Sequence, residues 1–421
     1  MKKSVALVMA VLAGQALADE RLDYLQGDGT AFIDTKYMLT AADTVEVEFM
    51  VQDKELCHIF GARMSADNEN FSLSVGKSSD KYFLIGDYSR WYYQHGRLQV
   101  EVAEQTGKRM KATIGNAARL IERYDGSVAW TNRAEVGEGA KLATVSSCLL
   151  FHLNGATFTD VQPFRGRIYS FKIIHNGETA MELLPYERNG VCGFRDRKTG
   201  AFLTPSAGAF TGPKLGRQTE YIEGDGEAYI DTGLSLGSHD AVTVEFMAYR
   251  NETMHIFGSR AAASKDNFSS AIAQIGGNWM LMNDFDSNNY CRYNVSTDDL
   301  LNNRVRLLSS FDERRVEVVG TDKVWTDTKS LEWHGFSTPG SCYLCYISGS
   351  PFADVRKFDG RLYGFKIVRD GVTLLDMVPW KRGDEAGMRD LIGGEFFGNA
   401  APTGAFTAKE LPKPGMILLF R

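Results

Sequence analysis

The sequence predicts an all-β protein built as two tandem sandwiches of antiparallel sheets, and three observations predict it. First, a long stretch is written twice: "YLQGDGTAFIDT" from Tyr24 returns as "YIEGDGEAYIDT" from Tyr221, 197 positions later. Second, within each copy apolar and polar residues alternate at period two, as half-buried strands require. Third, forty-two glycines and several Asn-Gly or Asp-Gly pairs supply the turn chemistry that joins such strands.

The chain opens with Lys2 and Lys3, an uninterrupted apolar run from Val5 to Ala13, and small residues ending at Ala16-Leu17-Ala18. That is the layout of a secretory signal peptide over residues 1–18, with cleavage expected between Ala18 and Asp19. The run is too short to span a bilayer, and no later segment approaches a spanning length. The mature chain is therefore expected to lack a transmembrane segment and to be exported, to the periplasm, the cell surface or the medium. Loss of the two lysines takes the formal charge from −6 to −8. The acidity is spread along the chain, which argues against a nucleic-acid partner, since phosphate binding needs concentrated Lys and Arg.

The first strands are Tyr24-Leu25 and Phe32-Ile33, joined by Gly27-Asp28-Gly29, where Asp28 reads as a turn residue. Val45, Val47 and Phe49 then alternate with Thr44, Glu46 and Glu48, and "VEVEFM" returns as "VTVEFM" from Val242. "HIFGAR" from His58 returns as "HIFGSR" from His255, and Phe71, Leu73 and Val75 alternate with Ser72 and Ser74. Later "FRGRIYSFKI" from Phe164 returns as "FDGRLYGFKI" from Phe358. Here Tyr169, Phe171 and Ile173 are expected on one side and Ser170 and Lys172 on the other, with Tyr363, Phe365 and Ile367 as counterparts. Asn176-Gly177 and Asp370-Gly371 follow as hairpin turns. "GAFT" from Gly208 and Gly404 closes each copy. The offset between copies drifts from 197 to 194 and then 196, which loops absorb. The boundary falls in "TGPKLGRQTE", Thr211 to Glu220, giving domains at 19–213 and 219–411 and a short apolar tail at 412–421. Each domain is long enough to bury its own core.

Six cysteines are present, at Cys57, Cys148, Cys192, Cys291, Cys342 and Cys345, but only Cys148 and Cys342 match between copies. A bridge belonging to the fold would recur, so buried unpaired thiols acting as small apolar groups are expected. Zinc is disfavoured, because Cys342 and Cys345 have no second pair at ligand spacing.

The blocks "YIEGDGEAYIDTG", "VTVEF", "IFGSR", "GRLYGFKIVRDG", "LDMVPWKRGDEAGMRDLIGGEFF" and "GAFT" resemble the concanavalin A-like, laminin G-like jelly-roll repeats of secreted bacterial proteins and phage structural proteins. The resemblance covers about residues 22–215 and 219–409. It implies two curved antiparallel sheets per domain, with any ligand at the concave face or its rim loops. The wider fold holds glycan-binding lectins, adhesion modules and glycoside hydrolases, so function must come from the residues.

A glycosidase needs two carboxylates facing one bond, and retaining members of the fold carry Glu-x-Asp-x-x-Glu or a close variant on one strand. Glu46-x-Glu48 is the nearest arrangement, and Thr243 replaces its first member in the second copy, leaving Glu245. Solvated outward carboxylates, and no enzyme, are the expectation. His58 and His255 match, but no Ser or Cys nucleophile matches beside them, so packing next to Phe60 and Phe257 is expected. Arg63 and Arg260 either pair with Glu48 and Glu245 inside each domain, the favoured assignment, or clasp a carboxylated sugar. No cofactor is expected. Calcium is the one metal to weigh: Asp284 to Asn288 opens like an EF-hand loop, but Asn289 stands at the sixth position and Val295 at the twelfth.

The most suggestive functional feature is aromatic. "DYSRWYYQH" brings Tyr88, Trp91, Tyr92 and Tyr93 together with Arg90 and His95, and the second copy has Phe285, Tyr290 and Tyr293. Such rings stack on sugar C–H faces, although Trp91 and Tyr93 also alternate as core residues do. Ligand contacts are therefore assigned to Trp91, Tyr93, Tyr290, Tyr293, Arg63 and Arg260. The expected function is non-enzymatic binding of a carbohydrate or an extracellular protein partner by tandem modules. The alternative is a structural or assembly role, in which the tail Met416 to Phe420 adds an edge strand, and a divergent glycosidase ranks last.

Overall fold

The computed structural model describes residues 19–63, 70–89, 97–133, 144–154, 162–262, 265–285, 291–328, 337–348 and 356–411. The expected signal segment and the apolar tail lie outside these. The chain forms two compact units, one ending at Leu215 and the other beginning at Gly216.

In the first unit, a ten-stranded sheet is centred on Asp43–Val51 and Arg165–His175. Arg109–Gly115, Arg119–Arg123 and Ala129–Asn132 extend it on one side, and Glu178–Arg188, Val191–Asp196 and Phe202–Leu203 on the other. A seven-stranded sheet packs against it, with Cys57–Arg63, Asn70–Ser78, Lys81–Ser89 and Arg97–Glu101 in sequence order. The second unit repeats this composition, with ten and seven strands centred on Asp240–Ala248 and Met254–Ala262. Among the described strands pairing is antiparallel, apart from the two-residue segments Gln162–Pro163 and Arg356–Lys357, which run parallel to the Cys57 and Met254 strands. The all-β expectation therefore holds.

The period-two pattern states why these segments are strands. Asp43–Val51 buries every other residue, placing Val45, Val47, Phe49 and Val51 in the core. The opposing sheet contributes Phe60, Phe71 and Leu73, all fully buried. Phe60 meets Phe171 across the layers at 5.5 Å, and Phe257 meets Phe365 in the same way at 6.0 Å. Each such ring contributes about 2 kcal/mol on burial. Asn176 and Gly177 take φ of 49° and 84°, and Asp370 and Gly371 take 50° and 79°, the left-handed pair that a two-residue hairpin needs. Asp28 behaves as a turn residue, its carboxylate accepting from the Thr30 and Ala31 amides at 2.8 and 3.3 Å. Asp225 repeats this on Glu227 and Ala228 at 2.8 and 3.0 Å. Cys57, Cys148, Cys342 and Cys345 are buried and unpaired, and Cys192 is unpaired and half-buried.

One expectation is corrected. Tyr169 does not share a side with Phe171 and Ile173, because a bulge interrupts the register opposite Phe49 and Glu48, between Ile168 and Ser170. Ile168 therefore joins Phe171 and Ile173 in the core, and Tyr169 turns to the outer face. The second unit has the same shift opposite Glu245 and Phe246, with Leu362 inward and Tyr363 outward. An extra residue in one strand inverts the parity of everything before it.

Candidate functional site

The smaller sheet of each unit has one face in the core and a second face that is also largely enclosed, and the second face is polar. Strand register fixes its membership: in the first unit His58 lies opposite Ser74, Gly61 opposite Ser72, and Arg63 opposite Asn70. Ser72 in turn lies opposite Asp87. The second unit sets Gly258 opposite Ser269, Arg260 opposite Asn267, and Ser269 opposite Asp284. Arg63 and Arg260 are 2% and 6% exposed, so they are held within this face and not displayed above it.

Burial governs the electrostatics. It holds His58 and His255 down to about 3, so both rings are neutral at physiological pH. It also pulls the Arg260 guanidinium down to about 10, against the opposing pull of Tyr346 and Asp284 nearby. The expected pairing of Arg63 and Arg260 with strand glutamates is replaced by another. Glu48 and Glu245 stand on the outer face of the other sheet, where Glu48 binds Arg109 at 2.6 Å. Glu245 binds Arg304 at 2.8 Å and Arg306 at 2.7 Å. Burial is the largest single influence on Glu245 and pushes its carboxyl up, but the two guanidiniums together outweigh it and hold the carboxyl below the usual range.

Trp91, Tyr93 and Tyr290 lie outside the described residues. Tyr293 is on the strand Cys291–Ser296, opposite Asn283, and its side chain lies outside the description as well. The aromatic residues that lead into these segments are core: Tyr88 packs on Phe71 at 5.0 Å and Phe285 on Phe268 at 4.7 Å. Asp284, where the sequence opens like an EF-hand loop without completing one, is a strand residue in Asn278–Phe285. Among the described residues no group of three His, Cys, Asp or Glu is placed to hold a metal.

Two clusters escaped sequence reasoning. On the outer face of each larger sheet, arginines stack on tyrosines. Arg167 lies 4.3 Å from the Tyr24 centroid and Arg109 4.2 Å from that of Tyr169, with the two rings edge to face at 5.4 Å. The second unit has Arg361 on Tyr221 at 4.2 Å, Arg304 on Tyr363 at 4.4 Å, and the rings at 5.6 Å. Tyr24, Arg167 and Tyr169 and their counterparts Tyr221, Arg361 and Tyr363 lie in closely repeated blocks, which was the available signal; Arg109 and Arg304 do not. Beside them in the second unit, a groove of about 460 Å³ is lined by Thr243, Arg306, Leu308, Arg315 and Glu317.

The other cluster belongs to the second unit. Tyr343 sits between the buried Cys342 and Leu344 and so points away from the core, opposite Asp231 and Gly258. Tyr229 stacks on Tyr343 at 4.7 Å and 22°, and Tyr346 lies 5.7 Å from Tyr229. The Lys357 ammonium is 5.6 Å from the Tyr229 centroid and 5.8 Å from that of Tyr346. Its carboxylate neighbour, Glu227, stands 3.6 Å away and is 65% exposed. Burial raises the Tyr343 phenol, with Asp231 and Tyr229 adding to the shift, so the hydroxyl stays protonated. The matching positions of the first unit are Phe32, Leu149, His152 and Pro163, of which Phe32 and His152 pack at 5.5 Å.

No protein-family model matches this sequence, and a search of curated proteins finds no match. Among solved structures, the chain is similar to domains LG4-5 of mouse laminin α1, with TM-score 0.32, 13% identity, and 94% of this chain and 96% of that one covered. It is similar to the LG1-3 region of laminin α2, with TM-score 0.27, 11% identity, and 89% and 65% covered. The extracellular region of zebrafish Gpr126/Adgrg6 gives TM-score 0.28, 10% identity, and 90% and 41% covered. Similarity of this size concerns the fold alone, which the strand topology already describes.

Proposed function

We propose that this chain is a non-enzymatic binding protein that works outside the cytoplasm after export through residues 1–18, and that it takes a carbohydrate or an extracellular protein at the outward face of its smaller sheets. In this reading residues 19–213 and 219–411 are tandem laminin G-like jelly-roll domains. Trp91, Tyr93, Tyr290, Tyr293, Arg63 and Arg260 are the proposed ligand contacts.

The observation that supports it is the repeated polar face: His, Arg, Ser and Asp recur at matched registers in both units, on the side of the sheet that the core does not use. A sheet built only for stability would cover that side with apolar or solvated residues. The carboxylates that a glycosidase would need are engaged elsewhere, by Arg109, Arg304 and Arg306. Two modest sites on one chain gain avidity when both engage.

A glycan array probed with the mature chain is the test. Binding is expected, and it should fall at least tenfold when Trp91, Tyr93, Tyr290 and Tyr293 are replaced by Ala. Binding that survives all four changes removes these aromatics from the site, and sugar release dependent on Glu48 or Glu245 would return the chain to the enzymes.

A further inference from the structure

Resting on that reading, we infer that the second unit alone carries a subsite for a sugar bearing a carboxylate, formed by Tyr229, Tyr343, Tyr346 and Lys357. Tyr229 comes from 114 positions before Tyr343, and the four meet at the outward face of the smaller sheet, Tyr229 on Tyr343 at 4.7 Å and Lys357 within 6 Å of two rings. All three rings are half-buried, so each keeps part of its surface accessible while its position is fixed by packing.

The chemistry is donor-rich. Three phenol groups and an ammonium converge, and Arg260 stands close enough to Tyr346 for each to influence the other. Lys357 is 18% exposed and lies against ring faces, which stabilise a cation without satisfying its three N–H donors. Its carboxylate neighbour Glu227 is at 3.6 Å and mostly in solvent, a weak surface pair that a ligand carboxylate at direct hydrogen-bond distance displaces at little cost. A pyranose ring supplies C–H groups for the tyrosine edges and hydroxyls for the phenols, and its carboxylate meets Lys357. A neutral sugar leaves the ammonium with its distant partner, so the subsite discriminates by charge.

The first unit lacks the phenols and the cation of this arrangement. Phe32 and His152 keep one ring contact, but Leu149 and Pro163 supply neither phenol nor cation. The duplicated fold thus carries two faces of different selectivity.

The test compares full-length mature protein and its variants on an array of uronate-bearing and neutral oligosaccharides. Wild type is expected to prefer uronates at least tenfold. Lys357→Gln should abolish that preference, and so should Tyr343→Leu with Tyr346→His, which installs residues the same fold already accepts in the first unit. Tyr343→Phe with Tyr346→Phe keeps the packing and should weaken uronate binding severalfold through the lost hydroxyls. Sugar binding with no uronate preference, or a preference that Lys357→Gln leaves intact, overturns the subsite and leaves the glycan-binding reading standing. A wild-type chain that binds no sugar on the array overturns the subsite and the carbohydrate reading together, leaving only the protein partner.

Discussion

Arg109 lies over the ring of Tyr169, its guanidinium carbon 4.2 Å from the ring centroid, and binds Glu48 at 2.6 Å from the same position. The contact exists because a bulge turned Tyr169 out of the core. Arg304 and Tyr363 repeat it at 4.4 Å. Tyr169 is only 5% exposed although it faces outward, so the arginines act as its cover.

The stack should therefore be measurable as a coupling. A double-mutant cycle of Arg109→Ala and Tyr169→Ala is expected to give about 1 kcal/mol of interaction energy, as a half-buried cation–π pair does. Urea denaturation, with hydrogen exchange to localise the effect to the first unit, measures it. Strict additivity would show that the bulge alone sets the ring's position.

Asp240 accepts from both Nε and Nη2 of Arg369 at 2.8 Å, and its carboxylate is fully buried. The matched Asp43 instead meets His175 Nδ1 at 2.8 Å and Tyr37 and Thr40 besides. Asp240→Asn should cost about 1–2 kcal/mol in the second unit, because the amide N–H then faces the Arg369 donors where a buried carboxylate oxygen accepted. His175→Arg should be accepted in the first unit and add about 1 kcal/mol, through a bidentate pair of the kind Arg369 makes. Thermal melts of both variants check this, and a large loss in His175→Arg would show that the two corners are not interchangeable.

His58 and His255 are held near 3 by burial, against about 6.5 in an unfolded chain. Between those values the unfolded chain takes up protons that the folded one refuses. Stability should therefore be level above about pH 6.5 and fall as pH drops through the window, by about 1.4 kcal/mol per pH unit for each histidine. His58→Gln and His255→Gln should flatten that slope while lowering stability at pH 7. Denaturation midpoints recorded from pH 7 to pH 4 decide it, and an unchanged slope in the double variant would contradict the burial assignment.

In the first unit a Cβ on Gly86 would fall 2.5 Å from Ile114 Cδ1. The matched positions of the second unit are Asn283 and Ser309, both buried, and both Asn283 polar atoms and Ser309 Oγ have no hydrogen-bond partner. The larger residue has changed sheets. Asn283→Gly combined with Ser309→Ile should raise the second unit's stability by about 1–3 kcal/mol, since unpaired buried polar atoms are removed and the volume is kept. Ser309→Ile alone should be destabilising through overpacking. A double variant weaker than wild type would mean that a buried water already satisfies the pair.

Some of this was legible along the chain, and the rest was not. Val45, Val47 and Phe49 could be placed in a core because alternation is a local property of a strand, visible in five residues. The duplication and the turns at Asn176 and Asp370 were legible for the same reason. Tyr169 was misplaced because a bulge leaves no mark in the alternation; only the partner strand shows that Ile168 pairs with Phe49 and Ser170 with Glu48. Arg63 and Arg260 were assigned the wrong carboxylates because sequence spacing does not say which sheet a strand joins.

By itself, then, the sequence determined that the chain is β, written twice, and turned at defined glycines and asparagines, all of which follow from steric and hydrophobic rules acting over a few residues. The tertiary structure decided which side chains meet. Tyr229 and Tyr343 are 114 positions apart and touch because two strands of one sheet run side by side; that adjacency comes from the packing of two layers over a shared core, which no short window of sequence contains.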